Sequence, residues 1–316
     1  MNGVAWLGQF LQILLALGLA PLFMGWLQTL RAILQNRRPA GLLQPYRDIG
    51  RLFRKESIVP ESASWLFRFS PYVRFGSKVM AAAMIPTLMM GLPLANAADV
   101  IALVGLLALA RVFQVLAAMD TGTAFAQLGA RREVLVSALA EPALLSALFI
   151  VSLLARSTSL NEIALRAQTQ IFSIHPSMVF AGVAFFMVLL VENARIPVDN
   201  PATHLELTMI HEAMTLEYSG RHLALLQWAT QLKLYLFFTI GIVLFFPWGI
   251  SPPTLQVGSL LLACLALVGK LAIAAPILAV VETLLAKRRL FRVPEFAVSA
   301  FLFGVIGLLS HFMLGA

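Results

Sequence analysis

Long apolar segments separated by shorter polar ones run through the whole chain. A helix needs about 20 residues to cross roughly 30 Å of hydrocarbon, and eight apolar segments reach that length. They lie at about 4 to 34, 71 to 94, 98 to 118, 133 to 155, 175 to 194, 223 to 247, 255 to 284 and 296 to 315. Backbone groups in lipid must be hydrogen-bonded within their own segment, and barrel strands are shorter than these segments. The pattern therefore predicts an all-α polytopic membrane protein with about eight transmembrane helices.

Polar segments between these helices predict four loops on one side of the membrane. They span about 35 to 70, 119 to 132, 193 to 222 and 285 to 295. Because no internal repeat or linker divides the chain, we expect a single membrane domain over residues 1 to 316. The first apolar segment has neither a basic leader nor a small-residue cleavage site, so we expect a retained helix. Pro86 within the second segment predicts a kink.

Basic residues are distributed unequally across the membrane. Eighteen of the 23 lysines and arginines fall on the side that carries these four loops. The positive-inside rule then places this side in the cytoplasm and both termini on the outer, periplasmic face of the inner (plasma) membrane. The net charge of +8 is thus explained by topology, with the lipid bilayer as partner, and we expect no nucleic acid.

Composition narrows the chemistry that the chain can perform. Hydrophobic residues make up 60% of it, charged residues only 12%, and the mean hydropathy is +0.87. The single cysteine, Cys264, lies inside an apolar segment, so we expect no disulfide and no thiolate-bound iron-sulfur cluster in this chain.

The segment from 192 to 220 is the most polar interruption of the pattern. It carries five carboxylates and two histidines, which are Glu192, Asp199, Glu206, Glu212, Glu217, His204 and His211. Its prolines predict an extended start, and the apolar spacing after them predicts a short amphipathic helix from Thr203 to Leu216. Burial and mutual repulsion raise carboxylate pKa values, as a proton relay requires. The alternative interpretation is a solvated loop face.

The two histidines do not form a recognisable metal motif. His211 is followed by Glu212 but not by a second histidine one turn later, so the zinc-protease signature is absent. His204 and His211 are about 10 Å apart along a helix, too far to share one ion. We therefore expect no metal in this chain and assign the histidines to proton transfer or hydrogen bonding.

Several ionisable residues fall within the apolar segments themselves, among them Arg111, Glu141, Lys233, Lys270 and Glu282. Such residues are expensive in a bilayer and are functional candidates by default. Glu141 is assigned either to a proton path or to a structural hydrogen bond. Lys233 is expected to extend to the cytoplasmic interface, whereas Lys270 lies mid-segment, with Glu282 as its candidate counter-ion.

An amphipathic pattern begins at Tyr46, after the first helix. Ile49, Leu52 and Phe53 recur at helical spacing among arginines, which predicts a helix that lies on the membrane surface. It is suited to contact lipid headgroups or a soluble partner, although an ordinary basic loop has the same composition.

Several of these segments, in this order, resemble the signature loops of the subunit 1 family of respiratory complex I. They are Asn36 to Arg38, Gly41 to Pro45, Gly122 to Arg131, Glu141, Glu192 to Asp199 and Glu217 to Gly220. Complex I members usually read Pro-Phe-Asp-Leu-Pro-Glu-Ala-Glu in the central loop, where this chain has Pro-Val-Asp-Asn-Pro-Ala-Thr-His from Pro197. That version is similar to the membrane subunits of formate hydrogenlyase and other group 4 nickel-iron hydrogenases, of the hydrogenase-4 component C type.

The resemblance implies a non-catalytic membrane anchor that couples a redox reaction to proton translocation. It implies as partners the hydrogenase large and small subunits, iron-sulfur subunits and an antiporter-like membrane subunit. The nickel-iron centre and iron-sulfur clusters would then belong to the partners, with no cofactor in this chain. Quinone binding stays open, because the central loop departs from the complex I pattern.

Residues and resemblance together define two sets of candidates. The proton-path candidates are Glu141, Glu192, Asp199, Glu206, His211, Glu212, Glu217, Lys233, Lys270 and Glu282. The candidates for docking a partner are Arg37, Arg38, Arg47, Asp48, Arg131 and Arg195.

Two alternative functions remain. One is a quinone-site subunit of a complex I-type NADH-quinone oxidoreductase. The other is a stand-alone secondary transporter, for which the inverted repeats common in such folds are not found.

Overall fold

The computed structural model describes residues 2–169, 175–196, 198, 210–252, 257–285 and 293–313. Asp199 and Glu206 lie outside these residues, as does the basic segment at 286–292. Within the described part of the chain the secondary structure is almost entirely helical, with no strand beyond two isolated bridges. The α-helices are α1 (Asn2–Leu34), α2 (Gln44–Phe53), α3 (Trp65–Met84), α4 (Val100–Asp120), α5 (Ala124–Ala155), α6 (Leu160–Thr169), α7 (Pro176–Glu192), α8 (Gly220–Phe245), α9 (Val257–Leu284) and α10 (Val293–Met313).

The all-α membrane architecture is confirmed. Six of the described helices, α1, α4, α5, α8, α9 and α10, are long and apolar enough to cross a bilayer. The apolar helix α7 is shorter, with 17 residues, and α3 has the length but carries buried charges. Both coincide with predicted transmembrane segments, so the count of eight stays a prediction.

Two predicted boundaries are wrong, and both errors shorten loops. The predicted loop at 119 to 132 is only the turn at 121 to 123, because α5 begins at Ala124. The second helix begins at Trp65, where the Ser64 side chain caps it, and not near Pro71. Helix α5 takes in the polar residues up to Arg132, where Ala126 and Ala130 are buried in a cluster with Met214. Helix α3 takes in the residues from Trp65 to Ser70, where Phe67 is buried against Tyr218.

The predicted kink at Pro86 is also wrong, since α3 has already ended at Met84. A residue before proline disfavours helical geometry, and Ile85 is extended. The carbonyl groups left open at this helix end accept hydrogen bonds from two buried side-chain amides of α1. Gln9 donates to Ala83 O at 2.7 Å, and Gln12 donates to Ile85 O at 2.8 Å. These contacts join the end of α3 to α1 inside the protein.

The helices pack in two groups, which are connected by α4 and by the contact of α8 with α7. Helices α5, α7 and α10 form one group, and α1, α3, α8 and α9 form the other. Small residues permit the close packing of α10 on α5: a Cβ added at Gly304 would collide with Ser146 Oγ. Helix α3 packs on α4 and α8, α4 also packs on α5, and α7 packs on α5 and α8, which sets the position of the charged side chains described next.

Candidate functional site

Arg111 of α4 is the centre of a buried cluster of charges. Its Nη2 contacts Glu192 Oε1 of α7 at 2.7 Å. Its Nε lies 3.6 Å from Glu133 Oε1, and its Nη1 pairs with Glu141, both on α5. One planar guanidinium with donors on several edges thus holds carboxylates from two different helices.

Lys233 of α8 extends this cluster by one further ion pair. Its Nζ lies 2.8 Å from Glu192 Oε2 and donates to the Glu192 carbonyl oxygen at 2.6 Å. The expectation that Lys233 extends to the cytoplasmic interface stays a prediction; the structure shows which carboxylate its ammonium group meets. The carboxylate at the end of α7 holds the lysine inside, because a buried charge is stabilised by an opposite charge at contact distance.

The loop after α7 reaches the same cluster through His211. Its Nε2 lies 3.5 Å from Glu133 Oε2. Gly129 of α5 makes this approach feasible, since a Cβ there would lie 2.9 Å from Ile210 O. The described end of this loop is a short 3-10 turn, Ala213–Thr215, and not the α-helix predicted through Leu216.

We name Arg111, Glu133, Glu141, Glu192, Lys233 and His211 the Arg111 network. The Arg111, Glu133 and Glu192 side chains are at most 7% exposed, whereas Glu141 is 37% exposed. Buried ion pairs often contribute little net stability compared with apolar residues, and ionisable groups at membrane depth are typical of transfer sites. The network is therefore the candidate functional site, and Glu141 is where it opens towards the protein surface.

A second buried cluster surrounds Glu282 near the end of α9. Arg31 Nε of α1 lies 3.0 Å from Glu282 Oε2, and Arg195 Nη1 lies 3.3 Å from Glu282 Oε1. We name these three residues the Glu282 clamp. The expected pairing of Glu282 with Lys270 is wrong, because two arginines occupy the carboxylate. Burial lowers the pKa of Arg195, and Glu282 opposes that effect, so the guanidinium stays charged.

Lys270 takes part in neither cluster. Its ammonium group donates to Phe246 O at 2.6 Å and also to Trp248 O. These carbonyls follow the C-terminus of α8, where a helix presents unpaired acceptors and partial negative charge. Within the described chain, Lys270 therefore caps a helix end.

The docking candidates divide into exposed and buried residues. Arg37, Arg38, Arg47 and Arg131 are exposed, whereas Arg195 points inwards to Glu282. Asp48 accepts a hydrogen bond from Gln44 at 2.8 Å and lies 3.7 Å from Arg51. The helix predicted at Tyr46 is confirmed as α2, which packs on α8 and α1 and buries Ile49, whereas its place on the membrane surface stays a prediction.

Two predicted proton-path residues of the loop, Glu212 and Glu217, are half-buried beside the start of α8. Here the chain is fixed to the linker between α2 and α3: Ser219 Oγ accepts from Ile58 N at 2.7 Å. Gly220 has φ +51, and a Cβ there would collide with Glu56 O. This contact needs glycine, since other residues are strained in the left-handed region.

Tyr218 completes the same joint. Its ring stacks on Phe67 at 3.9 Å, and its hydroxyl donates to Phe67 O at 3.0 Å. Burial raises the pKa of Tyr218 to about 12. The phenol consequently stays protonated and keeps this hydrogen bond at neutral pH.

Sequence reasoning misses several of these charged residues. It leaves Arg111 in a span without a partner, and it does not single out Glu133. It includes Arg31, Arg74 and Lys78 only among the basic residues of the cytoplasmic side. The helical spacing of Arg74 and Lys78, four residues apart at the start of an apolar segment, is the available signal. Among the described residues no group of three His, Cys, Asp or Glu side chains could hold a metal ion.

Comparison with known proteins agrees with this architecture. Formate hydrogenlyase subunit 4 of Escherichia coli (strain K12) is 33% identical over 300 residues, which cover 95% of this chain and 96% of that protein. Hydrogenase-4 component C of the same strain is 35% identical over 254 residues, 80% of this chain and 78% of that protein. One NADH-quinone oxidoreductase subunit of Rickettsia bellii (strain OSU 85-389) is 29% identical over 189 residues, 59% of this chain and 55% of that protein.

A solved structure has the same fold. One chain of the membrane-bound sulfane sulfur reductase (MBS), an archaeal respiratory membrane complex, aligns with a TM-score of 0.81 at 21% identity. The alignment covers 97% of this chain and 99% of that chain. The family model described as NADH dehydrogenase matches residues 8–312. With its apolar helices, its relatives and this match, the chain is a multi-pass membrane protein that belongs to the NADH dehydrogenase family.

Proposed function

We propose that this chain is the membrane subunit of a hydrogenase complex related to formate hydrogenlyase, where it docks the peripheral electron-transfer arm and couples its redox reaction to proton translocation. Two relatives named as hydrogenlyase and hydrogenase components support the choice of complex. The observation that carries the coupling is the Arg111 network, which joins α4, α5, α7 and α8 through buried ion pairs.

Docking is assigned to the exposed basic surface between α1 and α3. Arg37, Arg38 and Arg47 are exposed there, together with Arg51 and Arg54. A soluble arm with an acidic surface would be attracted to this side, since complementary charge accelerates encounter and sets orientation. The nickel-iron centre and the iron-sulfur clusters belong, in this proposal, to the docked subunits.

Coupling is assigned to a change of charge at the network. Electron transfer in the docked arm changes the local potential, and ionisable groups that interact strongly respond by taking up or releasing protons. His211 connects the network to the loop after α7, at 3.5 Å from Glu133. The partly exposed Glu141 requires a polar neighbour in the membrane, which supports an antiporter-like subunit packed against α5.

Replacement of Glu141 by glutamine tests the coupling. The amide cannot exchange a proton, so we expect fewer protons moved per hydrogen formed, measured in inverted membrane vesicles, while the complex still assembles. Glu206 lies outside the described residues, and we expect the same result from Glu206→Gln. The matched control is Glu162→Gln, an exposed carboxylate of α6. Normal coupling in both variants would refute this role.

Co-purification tests the assignment to a complex. A tagged chain extracted in mild detergent should bring down a nickel-iron large subunit, iron-sulfur proteins and an antiporter-like subunit in stoichiometric amounts. Recovery of NADH-oxidising subunits would instead place the chain in a complex I-type enzyme. Purification of the chain alone would favour a stand-alone transporter.

A second candidate function, the quinone-site subunit, is favoured by one feature of the surface. An open cleft of about 450 Å³ lies between the end of α1 and the start of α2, lined among others by Thr29, Leu42, Leu43 and Arg47. Its volume is within the range of ligand sites. Saturable binding of a quinone analogue that is lost in Leu43→Glu would support this function over the first.

A further inference from the structure

Helix α3 carries two buried basic side chains that form no ion pair with any residue that the structure describes. Arg74 and Lys78 are 4% and 3% exposed. They are four residues apart, so both lie on the same face of the helix. Among the residues that the structure describes, neither forms an ion pair, and Arg74 Nε has no hydrogen-bond partner. This differs from Arg111 and Lys233, each of which has a carboxylate at contact distance.

The charges that face Lys78 are mostly of its own sign. They are Arg74 on α3, Arg111 on α4 and Lys233 on α8, with Glu192 of α7 as the opposing charge. Glu192 already pairs with Arg111 and Lys233. An ammonium group at position 78 would therefore be desolvated and repelled, with only a shared carboxylate to offset both effects.

Lysine and arginine differ in how they respond to such a position. A guanidinium keeps its proton in proteins, so Arg74 remains a cation. An amine can release its proton, and buried lysines are known to do so. Glu133, Glu141 and Glu192, by contrast, each have the Arg111 guanidinium at ion-pair distance.

We propose that Lys78 is a further group of this site whose protonation changes, as a neutral amine at rest that becomes an ammonium ion when negative charge arrives nearby. The nitrogen lone pair accepts one proton from a hydronium ion, so that an N–H bond forms as an O–H bond breaks and a water molecule is left. When the charge leaves, the N–H bond breaks and the proton returns to water as hydronium. The role in transfer rests on the proposed coupling function, whereas the neutral resting state does not.

Replacement of Lys78 by an uncharged residue tests whether its amine is neutral at rest. The purified complex in lipid nanodiscs is unfolded by heat as wild type, Lys78→Met and Lys78→Gln. If the amine is neutral, we expect both variants to unfold at or above the wild-type temperature, because neither removes a charge. The matched controls are the same changes at Lys233, where loss of the ammonium should lower the unfolding temperature by about 4 °C or more.

The outcome at position 78 is decisive in either direction. Unfolding temperatures lowered in both neutral variants, as at Lys233, would overturn the neutral resting state. Arginine, a permanent cation, gives a second measurement at both positions. Lys78→Arg should be less stable than Lys78→Met, whereas Lys233→Arg should be close to wild type in stability.

Proton movement separates this inference from the function on which it rests. In both Lys78→Met and Lys78→Arg the number of protons moved per hydrogen formed should fall, since neither side chain can take up and release a proton. Wild-type coupling in both variants would overturn the transfer role of Lys78. If the wild-type complex itself moves no protons, the proposed function fails, while the stability order at 78 still reports the resting charge.

Discussion

The two buried charge clusters differ in the kind of cation that each contains. The Glu282 clamp holds one carboxylate between Arg31 and Arg195. The Arg111 network holds three carboxylates around one arginine and adds Lys233, His211 and the adjacent Lys78. Both are buried among helices, so burial alone does not distinguish them.

This difference indicates two separate uses of buried charge. The carboxylate of the clamp has both of its oxygens next to guanidinium groups, and these keep their charge. The clamp therefore fixes α1, α9 and the segment after α7 in one arrangement. The network contains lysine, histidine and several coupled carboxylates, whose protons can be redistributed. We assign structure to the first and proton transfer to the second.

The largest expected effect is from Arg111→Met. It leaves three neighbouring carboxylates without their shared cation, and removing one member of a buried pair typically costs about 3–5 kcal/mol. Thermal unfolding of the purified chain and its yield in membranes measure the loss. Arg68→Met, an exposed change on α3, is the control. Equal stability of the two variants would mean that the network does not hold the helices together.

Glu282→Gln directly tests the contrast between the clusters. It leaves Arg31 and Arg195 without their anion, so we expect a loss of about 3 kcal/mol in unfolding free energy. Protons moved per hydrogen formed should stay at the wild-type ratio, whereas Glu192→Gln should reduce that ratio. Loss of coupling with unchanged stability in Glu282→Gln would place Glu282 in the proton path and remove the distinction.

Lys270→Met is expected to lower the unfolding free energy by less than Arg111→Met or Glu282→Gln. The change removes charged hydrogen bonds to the carbonyls of Phe246 and Trp248, at a cost of about 1–2 kcal/mol for this half-buried group. Because Lys270 belongs to neither cluster, coupling should persist. Lys233→Met, which changes a residue of the Arg111 network, is the variant with which this coupling is compared. If Lys270→Met also lowers the proton ratio, the transfer region extends to α9.

The titration of Tyr218 has the smallest effect at neutral pH, because it changes stability only at high pH. This residue interacts electrostatically with Arg74 beside the network. Burial raises the pKa of Tyr218 from 10.0 to about 12. The folded form thus keeps a proton that the unfolded chain releases, so stability falls as pH rises from about 10 to about 12. Relative to Tyr218→Phe, wild type should lose about 2 kcal/mol over this interval.

Thermal unfolding as a function of pH measures this difference. Tyr72→Phe, a change of an exposed tyrosine on α3, controls for the titration of other groups. A difference between wild type and Tyr218→Phe that does not vary with pH would show that the hydroxyl is not buried as described.

The sequence by itself determined the class of the fold and the approximate position of every long helix. Runs of apolar residues are sufficient for this, because lipid requires each segment to satisfy its own backbone hydrogen bonds. It also identified Glu141, Glu192 and Lys233 as unusual, because charge at membrane depth is expensive in any arrangement. The starts of α3 and α5 were misplaced, since contacts with distant parts of the chain stabilise further helical turns there: Phe67 is stacked on Tyr218, and Ala126 and Ala130 lie in a cluster with Met214.

Only the tertiary structure decided which charges meet. Arg111 and Glu192 are 81 residues apart in the chain, and Arg195 and Glu282 are 87 residues apart, so no local spacing predicts either contact. The sequence paired Lys270 with Glu282 on one helix, whereas packing of α1 and the segment after α7 brought two arginines to that carboxylate. Apolar periodicity acts within one helix, but ion pairing depends on which helix faces are neighbours, and that is set by the packing of the whole bundle.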